Sequence, residues 1–182
     1  MKELLEMSFK DYRAIPAINN SSLQEIRHSI DKYIHNIDNP KKGDFFTFGQ
    51  AYHKYILERH EFEDEFFVMP EVDRRTKLGK LAWAEAQEQS EGKTVIAFKD
   101  YEKIKAMSRR LQKDSMISNI LKQGVCEKTI VGSLGGIKCK GRYDLILEES
   151  KIVVDFKTTK DCSKESFITS LYKYGYARQA SF

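Results

Sequence analysis

The sequence predicts an α/β fold, with a mixed sheet flanked by helices and a helical section at the front. Three observations carry this reading. Apolar residues recur at helical spacing in separate stretches before Gly124. From Val125 to Thr159 the chain becomes rich in β-branched and apolar residues. Turn signals at Gly135-Gly136 and at Glu148 to Ser150 divide that region into strands. The chain of 182 residues is read as a single domain, 1–182. Residues 1–124 form its mainly helical section, and 125–182 form a β-meander and a helix that carry the core.

Each element has its own signal. In NNSSLQEIRHSIDKYIHN, Ser22 and Glu25 form a capping-box pattern, and Leu23, Ile26, Ile30 and Ile34 repeat at helical spacing. FFTFGQAYHKYILERHEF predicts a second helix, with Phe48, Tyr52, Tyr55 and Ile56 on one side. TKLGKLAWAEAQEQSEGK predicts a third, stopped at Gly92. DYEKIKAMSRRLQKDSMISNILKQG predicts a fourth, striped by Ile104, Met107, Leu111, Ile117 and Leu121. VCEKTIVGSL and IKCKGRYDLIL then flank Gly135-Gly136 as a hairpin, and KIVVDFKTT follows as a third strand. SKESFITSLYKYGYARQASF returns to helical spacing through Phe167, Leu171, Tyr174 and Gln179.

Composition narrows the classes. Hydrophobic residues make up 41% and charged residues 32%, as in an ordinary soluble globular protein. A net charge of +4 and a pI near 8.8 permit a nucleic-acid partner without demanding one. Cys126, Cys139 and Cys162 show no C-x-x-C spacing, so no zinc or iron–sulfur pattern arises and a reducing cytoplasm is expected. The first residues are too charged for a signal sequence, and no apolar run reaches membrane-spanning length.

Charge inside the predicted meander is the unusual feature. If Leu134 faces Ile137 across the glycine turn, stepping back along both strands sets Glu127 opposite Asp144. A two-residue loop at Glu149-Ser150, or a four-residue loop at Glu148 to Lys151, sets Asp144 opposite Asp155. A three-residue loop shifts the register by one and breaks the alignment. Opposed residues share a face at roughly 5 Å, and Lys157 lies one strand repeat from Asp155. Such a row reads either as a solvent-exposed face of paired surface ions or as a cation site. The neighbours Leu145, Ile146, Val153, Val154 and Phe156 suggest a strand covered on both faces, which favours the cation site. Hard oxygen ligands suit Mg²⁺ or Mn²⁺. A metal held by Asp144 and Asp155 can lower the pKa of a bound water and neutralise charge on a phosphodiester. Lys157 can orient that water or stabilise the phosphate. Glu127 can complete the water's hydrogen bonds or support a second metal.

Asp144 followed by Asp155-Phe156-Lys157 resembles the PD-(D/E)XK nuclease signature, with Tyr143 in place of the motif's proline. GQAYHKYILE resembles the G-x-x-x-H helix of RecB-type and exodeoxyribonuclease VIII-type (RecE-like) phage recombination nucleases. DFKTTKD with YGYARQASF, the leader YRAIPAINNSSLQEI, and FEDEFFVMP are similar to the latter. The resemblance implies a restriction-endonuclease-like core and a metal site formed by His53, Asp144, Asp155 and the Phe156 backbone carbonyl. Lys157, Glu127, Asp144 and Asp155 would be the catalytic residues. Taken alone, His53 reads more readily as a core or surface histidine on an amphipathic helix; its position four residues after Gly49, with the acids downstream, reverses that preference. Gln179 matches the glutamine of the family's Q-x-x-x-Y helix, and Gln179, Tyr176, Arg178 and Thr158 would meet DNA. RRTK from Arg74 and SRR from Ser108 read as phosphate contacts or as solvated faces. The family's tyrosine would fall just after Phe182, so the resemblance implies a C-terminally truncated member.

The implied activity is Mg²⁺- or Mn²⁺-dependent hydrolysis of DNA from duplex ends, in the cytoplasm of a bacterial host and encoded by a phage or prophage. The implied partners are duplex DNA, a single-strand annealing protein and further copies of the chain, with no membrane. The alternatives are an endonuclease or repair nuclease of the same fold, or a catalytically inactive DNA-binding module. Iron–sulfur relatives need four cysteine ligands, and the chain has three cysteines.

Overall fold

The computed structural model describes residues 4–39 and 43–181. The chain forms two compact units. One combines residues 1–41 with 125–182, and the other spans 42–124. The division at Gly124 coincides with the change of texture in the sequence, but the first residues belong with the C-terminal sheet rather than with the helices that follow them.

In the first unit, β1 (Leu4–Leu5), β4 (Val125–Leu134), β5 (Ile137–Leu147) and β6 (Ile152–Val154) form a sheet in the order β1-β4-β5-β6. The pairings between these strands are all antiparallel, and a single parallel bridge joins Ile18 to Cys139 of β5. The β4–β5 hairpin has the expected register, Leu134 opposite Ile137. Gly135 and Gly136 both have positive φ, 57° and 81°, which a two-residue hairpin turn requires and which only glycine adopts without strain. A four-residue loop, Glu148 to Lys151, leads into β6, which sets Leu145 opposite Val154.

The third strand is shorter than KIVVDFKTT predicts. It ends at Val154, and residues 155–159 form no ladder. β6 is also an edge strand. Ile152 and Val153 are 47% and 48% exposed, so the strand is not covered on both faces as its composition suggests, whereas Leu145 on β5 is fully buried.

Short helices flank this sheet. α1 (Phe9–Ala14) is capped by Ser8. The next predicted helix is two: α2 (Asn20–Ile26), capped by Asn19, and α3 (Ile30–Asp38), capped by Ser29. Side-chain acceptors at Asn19 and Ser29 compete with continuation of the helix, so Asn19 takes the capping role that the pattern assigned to Ser22. The closing helix likewise divides into α9 (Lys164–Tyr174) and α10 (Tyr176–Ala180) at Gly175, whose φ of 66° is left-handed.

Lys140 fastens the N-terminal segment to β5. It is 7% exposed, and its Nζ donates to the carbonyls of Tyr12, Arg13 and Ile15 at 2.9, 3.1 and 2.8 Å. Ile18 continues the attachment. Its N–H donates to the Lys138 carbonyl, and its carbonyl accepts from the Lys140 N–H.

The second unit contains α4 (Asp44–Leu57), a 3-10 turn (Arg59–Glu61), α5 (Phe62–Glu65), α6 (Lys77–Gln89), α7 (Phe98–Gln112) and α8 (Ser115–Gln123). The predicted fourth helix breaks after Gln112, because the Asp114 carboxylate caps a new start by accepting from Met116 and Ile117. The sequence reading missed β2 (Phe66–Met69) and β3 (Thr94–Ala97), which pair in parallel. Ala51, Tyr52, Phe62, Phe66, Ile96 and Ile104 form the core of this unit. Burying a side chain such as Phe62 or Ile104 contributes about 1.5–3 kcal/mol. No helix among the described residues is long and apolar enough to cross a membrane.

Candidate active site

The acidic face is built on the β4–β5 hairpin. Lys128 pairs with Tyr143 and Cys126 with Leu145, so Glu127 and Asp144 occupy opposed positions. Glu127 leaves the regular pleat, with a φ of 55°. A left-handed conformation costs a non-glycine residue on the order of 1–3 kcal/mol, and such strain concentrates at functional sites. A carboxylate oxygen of Glu127 and one of Asp144 lie within 4.8 Å of each other.

Arg142 explains how two acids share this face. It precedes Asp144 by one strand repeat, and its Nε donates to Glu127. Its Nη1 donates to the Met7 carbonyl at 2.9 Å and to Thr129 Oγ1 at 3.3 Å. The guanidinium offsets the charge of Glu127 and fixes where its carboxylate points. The sequence reading did not single out Arg142. Its only signal was the two-residue period that puts it on the face of Asp144.

Asp144 also determines where β6 ends. Its Oδ2 accepts from the Phe156 N–H at 2.6 Å. That N–H is thereby given to a side chain rather than to a ladder carbonyl. Asp155, in the register position opposite Asp144, lies one residue past the last pair. Of the three expected carboxylates, Asp144 lies beside Glu127 and accepts from the Phe156 N–H, and Asp155 is the centre of a second cluster of bonds, with Lys157 and Gln179. Lys157 reaches Asp155 across a loop rather than by strand alternation, at 2.6 Å from Nζ to Oδ2. Gln179 Nε2 donates to Asp155 Oδ1 at 2.7 Å. Phe156 joins the two clusters covalently, since it binds Asp144 and separates Asp155 from Lys157.

α10 brings the other predicted residues to this second cluster. The turn at Gly175 redirects the chain so that Gln179 meets Asp155 and the Tyr176 ring lies 5.4 Å from Lys157 Nζ. Burial first, then Tyr174 and the Asp155 charge, push the Tyr176 hydroxyl above its ordinary pKa of 10.0. Arg178 faces elsewhere. It donates to Asn20 Oδ1 and Gln24 Oε1, each at 2.8 Å, and so holds α10 against α2. Thr158 is half-buried in the loop after β6. His53 is half-buried within α4 of the second unit, four residues after Gly49.

The donors of the first unit are carboxylate oxygens, the chemistry that suits hard divalent cations rather than soft metals. A lysine bound to one of those carboxylates supplies a mobile positive charge, and the backbone and amide donors around Asp144 and Asp155 restrict their rotamers.

A search of curated proteins finds no match. Residues 19–182 match the family described as a PDDEXK-like domain of unknown function, DUF3799. The chain belongs to this family and, through it, to the PD-(D/E)XK superfamily, which indicates a nuclease-type function.

Proposed function

We propose that the protein is a metal-dependent DNA exonuclease that hydrolyses phosphodiester bonds at duplex ends. The observation that carries the reading is the linked pair of clusters. Glu127 and Asp144 lie within 4.8 Å, the Phe156 N–H is on Asp144, and Asp155 is held by Lys157 and Gln179. This is the arrangement of acids and lysine that phosphodiester hydrolysis needs, on a chain of the matching family.

Asp144 and Asp155 offer oxygens to Mg²⁺ or Mn²⁺, with the Phe156 carbonyl and His53 as further ligands by family resemblance. The bound cation would lower the pKa of a water and offset charge gathering on the phosphate. Lys157 donates to the attacking water or to a phosphate oxygen. Glu127 accepts a hydrogen bond from that water, and Arg142 sets its direction. Gln179 restrains Asp155. Tyr176 and Thr158 are read as DNA contacts, whereas Arg178 acts by securing α10. The setting is recombination in a phage- or prophage-bearing bacterial cytoplasm, with a single-strand annealing protein and further copies of the chain as partners.

The test compares linear and covalently closed circular duplex DNA in Mg²⁺. Wild-type protein degrades the linear form and spares the circle. Asp155→Ala and Lys157→Ala each lower the rate by about 100-fold or more, the usual cost of removing one preorganised electrostatic group. Degradation of the circle would make the protein an endonuclease. Undiminished cleavage by either variant would sink the mechanism.

A further inference from the structure

We propose that the groove between α2 and α9 binds a single unpaired DNA strand. Gln24, Arg27, His28, Tyr172, Lys173 and Tyr174 line this open groove of about 630 Å³. None of them is acidic, and Arg27 and Lys173 carry positive charge. Gln24 bonds to the C-terminal helices at two points. Its Nε2 donates to the Lys173 carbonyl at 3.1 Å, and its Oε1 accepts from Arg178 at 2.8 Å. One of these bonds joins α2 to α9 and the other joins α2 to α10.

Its aromatic lining indicates the ligand. Tyr172 is 78% exposed and Tyr174 is 47% exposed, too open to serve mainly as core. Exposed rings beside cations are what an unpaired strand requires: base faces stack on the rings while phosphates meet the charges. A duplex keeps its base faces covered and offers the rings little. Lys173 Nζ lies 5.3 Å from the Tyr174 ring, so one short segment presents both chemistries.

A path also leads from this groove to Asp155. The Tyr174 ring stacks on Tyr176 at 5.9 Å, with 26° between planes. The Tyr176 ring in turn lies 5.4 Å from Lys157 Nζ, and Lys157 is bound to Asp155. A strand lying along the tyrosines would run between the groove and the Asp155 cluster. That the strand comes from an opened duplex end rests on the nuclease reading above; the affinity of the groove does not.

The experiment measures fluorescence anisotropy of a labelled oligothymidylate of about 12 nucleotides, a length within the usual range for single-strand sites. EDTA is present, so cleavage cannot interfere. Tyr172→Ala should weaken binding about 5-fold or more, the low end for loss of one base stack. Tyr172→Phe keeps the ring and should bind within about 2-fold of wild type. Arg27→Ala combined with Lys173→Ala should lower the slope of log affinity against log salt by about 1.4, or about 0.7 per lost phosphate contact. A blunt duplex of the same length should respond little to Tyr172→Ala. Tyr172 is too exposed for its loss to empty a core, and thermal melting verifies the fold of each variant. No binding by wild type, an inert Tyr172→Ala, an equal loss on the duplex, or an unchanged salt slope would each overturn the proposal. Binding is read in EDTA and cleavage in Mg²⁺, so the groove and the nuclease reading succeed or fail separately.

Discussion

Arg142→Met tests the acidic face directly. The Arg142 and Glu127 side chains are 11% and 17% exposed, so their ion pair is largely removed from water. Breaking a fully buried pair by deleting one partner costs about 3–5 kcal/mol. Residual access to water reduces that here to about 2 kcal/mol. The Met7 carbonyl also loses the guanidinium as a donor, for about 1 kcal/mol more. The total is about 3 kcal/mol, or a fall in Tm of about 6–12 °C for a chain of this size. Thermal and urea unfolding would be followed by circular dichroism for wild type, Arg142→Met, Glu127→Gln and the double variant. The double variant should recover about 2 kcal/mol relative to the sum of the two single changes, because the cost lies in the charge left behind. A fall in Tm below about 2 °C for Arg142→Met, or strict additivity in the cycle, would refute the assignment of Arg142 as the counter-ion of Glu127.

Three further outcomes are expected. Gln179→Ala frees one oxygen of Asp155, and kcat should fall by about 10-fold with KM little changed, because a positioning group acts on the reacting geometry rather than on substrate affinity. Steady-state kinetics on linear duplex DNA measures this, and a change confined to KM would show that Gln179 contacts substrate instead. Lys140→Met strips one donor from three carbonyls at once and should lower stability by about 2–4 kcal/mol, read by urea denaturation. Burial, then Arg13, push the Lys140 ammonium below its ordinary 10.5, so the folded state gives up this proton first and the cost of burying it should shrink as pH rises towards that value. In the second unit, Lys54 bonds Glu58, Glu61 and Glu65 at 2.7, 2.9 and 2.7 Å. Burial opposes its charge, but these bonds outweigh burial and raise its pKa, while Lys54 first and foremost holds the Glu61 carboxyl below 4.5. The Glu61 contribution is present above 4.5 and lost as pH falls through the lowered value; the Lys54 contribution is lost only at strongly alkaline pH. Lys54→Met should cost about 1 kcal/mol at pH 7 and flatten the acid limb of a Tm–pH curve.

The meander was readable from sequence because its information is local. Gly135-Gly136 fixes the turn, and alternation then carries the register back to Glu127 without any tertiary contact. The long helices of the second unit were readable for a similar reason, since Tyr52 and Ile104 sit within strong 3.6-residue patterns and are buried as those patterns predict. The breaks were harder. At Ser29 and Asp114 the apolar pattern continues across a position where a side-chain acceptor starts a new helix. Periodicity reports which face is buried, not whether the backbone stays continuous. The early end of β6 is a tertiary effect, because Asp144, a residue of the neighbouring strand, takes the Phe156 N–H. β2 and β3 are not legible in the sequence because each is a four-residue run whose ladder partner is distant in sequence. In the candidate site the acids and Lys157 were legible as residue types, but their bonds were not. Nothing local links Asp155 to Gln179 or Glu127 to Arg142.

The first unit is drawn from both halves of the chain, and this bears on how the protein is made. During synthesis residues 12–18 leave the ribosome long before Lys138 and Lys140, whose backbone and ammonium bond them. The intervening segment, Lys42–Gly124, can fold from its own contacts in the meantime. The early N-terminal segment must wait, with Tyr12, which the folded unit buries against Lys140, still uncovered, for a hairpin not yet translated. Closing so long a loop is slow, and until it closes the surface that receives the hairpin is open to other chains. Slower elongation or a chaperone during that interval should raise the yield of soluble protein more than any change within the second unit.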